Sequence, residues 1–143
     1  PALKAVLESS YDVKEIIIVP DEAEIIAQAI KDLVDTRCID LIVTTGGTGV
    51  AKRDVTPEAT RLVIERELPG FAEVMRMGSY KLTPTAMGSR VLCGRRKGSL
   101  IINLPGSPKA AVECISFVLN AIPHTLDKLQ GDTRDCAVLR ESP

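Results

Sequence analysis

A chain of 143 residues has room for one domain with a real hydrophobic core, so one site rather than several is expected. With 18 Lys and Arg against 19 Asp and Glu, and no basic stripe interleaved with aromatics, general binding of nucleic acid or of a charged membrane surface has little support. No apolar run approaches the roughly 20 residues needed to cross a bilayer, and the N-terminus lacks a charged-then-apolar signal pattern, so the cytoplasm is the expected address.

Residues 1–10 read as a short helix with Leu3, Val6 and Leu7 on one side. Lys14-Glu15-Ile16-Ile17-Ile18-Val19 reads as a buried strand ended by Pro20. Asp21 follows, in position to cap a helix over 21–36, where Ile25, Ile26, Ala29, Ile30, Leu33 and Val34 recur at helical spacing. Asp40-Leu41-Ile42-Val43-Thr44 is a second strand, and a helix between two strands predicts a parallel, right-handed βαβ unit. After a glycine-rich, then charged loop, Thr56-Pro57-Glu58 carries the start signals of a helix, with Thr as N-cap and Pro at the first helical position. Leu68-Pro69-Gly70 breaks that helix and 71–77 begins another. Residues 91–104 predict a hairpin turning at Lys97-Gly98, which sets one antiparallel strand in an otherwise parallel sheet. Its second strand, Ser99-Leu100-Ile101-Ile102-Asn103-Leu104, turns at Pro105-Gly106-Ser107-Pro108-Lys109 into a capped helix that Pro123 kinks or interrupts. Residues 131–143 are polar and aperiodic and read as a tail beyond a domain of residues 1–130.

The segments that follow apolar strands carry the chemistry. In an open α/β sheet, ligands collect outside the carboxyl ends of strands, so Pro20-Asp21, residues 44–54 and residues 105–109 are expected to meet at one crevice. Thr45, Gly46, Gly47, Thr48 and Gly49 can turn main-chain N–H groups around an anion beside a helix start. They form neither a Walker A loop nor a G-x-G-x-x-G loop. Taken alone such a loop is a tight turn as often as a phosphate cradle. Lys52, Arg53 and Asp54 tip the reading toward phosphate, because two cations and a carboxylate suit a nucleoside triphosphate with its magnesium. Lys109 and the pair Ser89 and Arg90 are further candidate anion contacts. Asp21 is equally readable as a helix cap or as a functional carboxylate. Cys38, Cys93, Cys114 and Cys136 form no C-x-x-C and a single histidine, His124, completes no zinc site of ordinary spacing, so the thiols read as reduced and structural. No nucleophile–histidine set is evident, which disfavours a reaction needing a protein nucleophile or histidine base.

At Thr44-Thr45-Gly46-Gly47-Thr48-Gly49, with Arg53-Asp54-Val55-Thr56-Pro57-Glu58-Ala59 behind it, the sequence resembles the molybdopterin-binding family that includes MogA, MoaB and the gephyrin G domain. Leu68-Pro69-Gly70-Phe71, Thr83-Pro84-Thr85-Ala86-Met87, Ser89-Arg90 and Ile101-Ile102-Asn103-Leu104-Pro105-Gly106-Ser107-Pro108-Lys109 continue the resemblance in order, to about residue 129. The resemblance implies a three-layer α/β/α fold, a homotrimer, and transfer of AMP from ATP to the terminal phosphate of molybdopterin with release of pyrophosphate. It implies that Asp21 and Asp54 are the two essential carboxylates, and that the glycine loop and the turn Pro105, Gly106, Ser107, Pro108 are the nucleotide and pterin pockets. Asp54 and Asp21 are then assigned to magnesium, with Lys52, Arg53 and Lys109 neutralising phosphates. In the family a strand and a glycine-bearing loop precede the segment matching Pro1-Ala2-Leu3, so the resemblance implies a truncated sequence; a sheet in which that strand is really absent loses a central member and exposes strand edges. Alternatives are a protein that binds molybdopterin without adenylating it, one tied to a molybdate-insertion enzyme, a trimeric scaffold, and a competence-damage type of enzyme acting on another phosphate ester; both aspartates favour catalysis.

Overall fold

The computed structural model describes residues 2–131. Its organising element is β4 (Ser99–Leu104), all six residues of which are buried. Side chains alternate across a strand, so Leu100, Ile102 and Leu104 join one apolar cluster and Ile101 joins another on the opposite face. The first cluster is closed by α1 (Ala2–Glu8), α4 (Pro69–Tyr80), α5 (Pro108–Val118) and α6 (Ile122–Gln130), with Met75, Ile115 and Ile122 fully buried. The second is closed by α2 (Ala23–Lys31) and α3 (Thr56–Val63) through Ile26, Ile30, Ala59 and Val63. Helices on both faces of one sheet give the three-layer α/β/α arrangement.

The sheet runs in the order β1 (Leu41–Thr45), β4, β3 (Cys93–Arg96), β2 (Arg66–Glu67). β1 and β4 are parallel, and β3 is antiparallel to both β4 and β2. Three strands therefore point one way and β3 alone opposes them. The hairpin forms as the sequence predicts, with Lys97 at its turn in the left-handed region at φ 52. The kink before Pro123 is a short 3-10 turn over Leu119–Ala121 that separates α5 from α6.

Four expectations are corrected. Residues 14–19 form no strand, so the parallel βαβ unit is not made; Ile16 and Ile17 are exposed and Ile18 is 95% exposed. A strand requires a neighbour that takes its N–H and C=O groups, and β1 pairs on one side only, with β4. The helix expected over 21–36 begins at Ala23 and passes into a π turn over Asp32–Thr36. The break at Leu68-Pro69-Gly70 is the start of α4 itself, preceded by the two-residue strand β2. Cys38 is disulfide-bonded, so the reading of four reduced thiols does not hold there, while Cys136 lies outside the described residues. Cys93 and Cys114 are free and buried, and burial pushes the Cys93 thiol up to about 12. The expected tail at 131–143 also lies outside them, except for Gly131.

Candidate active site

The parallel register pairs Thr45 with Leu104, so β1 and β4 end side by side. The ladder extends one step further, the Gly46 N–H donating to the Leu104 carbonyl at 3.0 Å. There the two chains must diverge into their helices without colliding. Gly46 and Gly47 do so at φ 89 and 69, conformations that cost any residue with a Cβ. A Cβ built on Gly106 would lie 3.2 Å from the Gly46 Cα, so the glycine loop and the Pro105–Pro108 turn meet backbone against backbone.

Both turns lead into helix N-termini. Ser107 caps α5, its hydroxyl accepting from the Ala110 N–H, with Pro108 in the first turn. Thr56 is not the cap expected of it: Val55 holds that position, and Thr56 is buried with its N–H donating to the Gly47 carbonyl at 3.1 Å. That bond closes the glycine loop onto the start of α3. Two helix N-termini with their partial positive charge thus flank one backbone contact, which suits anionic ligands.

Between Gly47 and Thr56 the loop is held from within and from behind. The Asp54 Oδ2 accepts the Ala51 N–H at 3.0 Å, and the Asp54 N–H donates to the Ala51 carbonyl. Gly49 leaves the space this needs, since a Cβ there would stand 2.8 Å from Asp54 Oδ2. Among the described residues the N–H groups of Gly47, Thr48, Gly49 and Val50 donate to no protein acceptor. Successive N–H groups left open beside a helix start are the kind of donors an anion cradle needs. Lys52 and Arg53 are exposed at its rim, and Lys109 is exposed in the first turn of α5.

Arg90 is placed differently from the anion contact expected of it. Its Nε donates to the Gly49 carbonyl at 2.7 Å, its Nη2 to the Asp54 carbonyl at 2.6 Å and its Nη1 to Glu58 Oε2, while its own N–H donates to the Thr48 carbonyl. The Arg90 hydrogen bond holds the Glu58 carboxyl below its ordinary range, and Glu58 in turn raises the Arg90 guanidinium. Ser89 is half-buried, and its Oγ is enclosed without a partner. Asp21 is exposed just before α2, whose N-cap is Glu22, so the helix-cap reading of Asp21 fails. No hydrogen bond or ion pair ties Asp21 to the glycine loop.

Asn103 was not anticipated. It is fully buried, its Nδ2 donating to the hydroxyls of Thr44 and Thr60 at 3.0 Å each, which fastens β4 to β1 and α3 directly beneath the loop. An amide inside the apolar run Leu100 to Leu104 is the signal that marks it, because a buried amide must be hydrogen-bonded. Among the described residues no group of three or more His, Cys, Asp and Glu could hold a metal.

Comparison with known proteins agrees with this fold. The profile of a family described as "Probable molybdopterin binding domain" matches residues 1–124. The chain is 51% identical over 115 residues to a molybdopterin adenylyltransferase of Helicobacter pylori, covering 80% of this chain and 65% of that protein. It is 47% identical to the molybdopterin adenylyltransferase of Escherichia coli K12, covering 92% of this chain and 75% of that one. The chain thus spans about two thirds of the Helicobacter relative's length. The molybdopterin biosynthesis enzyme MoaB of Thermus thermophilus superposes with a TM-score of 0.85 at 44% identity, over 92% of this chain and 84% of that one.

Proposed function

Because this chain belongs to the family of probable molybdopterin-binding domains, we propose that it binds molybdopterin and ATP at the paired turns and transfers AMP to the terminal phosphate of the pterin, releasing pyrophosphate. The observation that carries this reading is the approach of Gly106 to Gly46, which brings two anion-binding helix starts to one place. The activity named for the Helicobacter and Escherichia relatives supports the same reaction.

The chemistry asks little covalent help of the protein. A phosphate oxygen of molybdopterin attacks the α-phosphorus of ATP, a new P–O bond forms, the α–β phosphoanhydride bond breaks, and pyrophosphate carries away the electron pair. The attacking phosphate is already ionised at neutral pH, so no general base is required, in keeping with a site built without histidine. What the chain supplies is positioning and neutralisation of charge. In this reading the open N–H groups from Gly47 to Val50 cradle phosphate oxygens, Lys52 and Arg53 neutralise them from the rim, and Lys109 does so from α5.

Magnesium takes one or two carboxylates plus substrate phosphates and keeps several waters. A lone carboxylate in the loop, with no cluster of protein ligands around it among the described residues, fits an ion that arrives with the triphosphate. Asp54 would hold it, with Asp21 as the second carboxylate, and the ion would supply charge neutralisation at the polyphosphate. We assign the chain to a homotrimer, supported by the exposed apolar side chains Val74 and Met77 on α4 and Phe117 on α5, whose ring lies against Gly78 of α4. A molybdate-insertion enzyme is its proposed partner as acceptor of the product.

The test is whether the protein consumes ATP and releases pyrophosphate only when molybdopterin and magnesium are both present, with adenylylated pterin as product. Tight pterin binding without turnover would replace the enzyme by a carrier or scaffold. No pterin binding at all would overturn the reading.

A further inference from the structure

We propose that Arg90 is the positioning residue of the anion cradle, acting from behind the loop on peptide orientation rather than from the front on phosphate; this rests on the proposed function of the same site. A trans peptide points its C=O and the next residue's N–H in opposite directions. Arg90 draws the carbonyls of Thr48 and Gly49 toward itself, through its backbone N–H at 2.8 Å and its Nε at 2.7 Å. The N–H groups of Gly49 and Val50, in those same two peptides, are therefore turned away from it. They are half of the four that donate to no protein acceptor.

The third bond, from Nη2 to the Asp54 carbonyl at 2.6 Å, fixes the far end of the loop and with it the residue proposed to meet the magnesium. One side chain thus spans the loop from Gly49 to Asp54, and the backbone N–H of the same residue holds Thr48. Glu58, on α3, takes Nη1 and orients the guanidinium plane so that Nε and Nη2 face the two carbonyls together. A planar fork of fixed donors can hold two carbonyls and a carboxylate spaced along its three nitrogens, whereas the three donors of a lysine sit on a single nitrogen. A lysine at 90 carries the same charge and cannot.

This separates positioning from a direct phosphate contact. A direct contact depends on charge, so Arg90→Lys would retain most of its function, and Glu58→Ala would free the guanidinium and tighten ATP. A positioning role predicts losses in both variants. It also reaches a readout that needs no ligand, because the Ala51 and Asp54 amides are bonded inside the loop.

The experiment is amide hydrogen exchange at Ala51 and Asp54, together with the ATP dependence of pyrophosphate release, in the wild type, Arg90→Lys and Glu58→Ala. The expected result is faster exchange at both amides in both variants, larger for Arg90→Lys, with core amides of β4 unchanged. Transfer by Arg90→Lys then falls about 10- to 100-fold in kcat/KM for ATP, most of it in kcat, because a loop displaced by about 1 Å misplaces the reacting groups. Unchanged exchange in Arg90→Lys, or faster exchange with wild-type kcat and KM, overturns the proposal; so does tighter ATP binding by Glu58→Ala. If the wild type itself transfers no AMP, the functional reading fails while the exchange data still decide whether Arg90 orders the loop.

Discussion

The Cα of Gly46 and the position a Cβ would take on Gly106 are 3.2 Å apart, which makes two residues 60 positions apart in sequence the contact on which the site is built. The neighbour is backbone, not a side chain that can swing aside. Gly106→Ala is therefore expected to spread the two turns by a few tenths of an ångström. Stability should fall by about 1 kcal/mol, as expected of mild overpacking, and AMP transfer by about 10-fold through misplacement. Thermal unfolding and steady-state kinetics together check this, and wild-type kcat and KM in a folded variant would remove the contact from the mechanism.

Gly47 predicts a larger effect on folding. A Cβ there would overlap the Thr56 Oγ1, in a residue already at φ 69, and Thr56 is only 5% exposed. Strain and overlap together should cost about 2–4 kcal/mol in Gly47→Ala. Gly70, in the first turn of α4 with nothing within 4 Å of its Cβ position, is the control. Gly70→Ala should be neutral or stabilising by about 0.5 kcal/mol. Denaturant midpoints that rank the two the other way would contradict this account of the loop.

Asp54→Asn separates charge from shape. The amide carbonyl can still accept the Ala51 N–H that Oδ2 accepts at 3.0 Å, so the loop should keep its form. The negative charge is lost, and transfer is expected to drop about 100-fold or more, in the range seen when an electrostatic group is removed from a reacting centre. A circular dichroism spectrum and melting curve matching the wild type, with activity near zero, is the expected pair of results. Near-normal activity would exclude Asp54 from the reaction.

Acid stability should trace to the opposite end of the sheet. Arg96 donates to both carboxylate oxygens of Asp35 at 2.9 Å, and these bonds hold the Asp35 carboxyl at about 2, against an ordinary 3.8. Since the folded value is the lower one, the pair's stabilisation is complete above the unfolded value and is lost as the pH falls from about 4 toward 2. Asp35→Asn should lower stability at pH 7 by about 1–2 kcal/mol and lessen its decline across that acid range. Urea unfolding at pH 7, 4 and 3 measures both, and an acid dependence as steep as the wild type's would point to another carboxyl.

Much of this was legible along the chain. The glycine loop, the Pro105–Pro108 turn and the helices that follow them are marked by glycine, proline and capping residues, whose backbone preferences act over a few neighbours. The buried run from Leu100 to Leu104 and the hairpin at Lys97 likewise follow from local pattern. Even the convergence of the two turns follows from strands that end at one edge of a sheet.

What the tertiary structure decided concerns partners. A guanidinium reads the same in sequence whether it faces a phosphate or a carbonyl, and only the fold aims Arg90 at carbonyls 36 and 41 residues away. Ile16, Ile17 and Ile18 have the apolar, β-branched character of a strand, yet they form none, because a strand is defined by the hydrogen bonds of a neighbour that sequence does not name. Asn103 finds its two hydroxyls on β1 and α3, 59 and 43 positions away. Backbone conformation is set by short-range sterics and is therefore written locally, whereas hydrogen-bond destinations over such separations exist only once the core has brought the segments together.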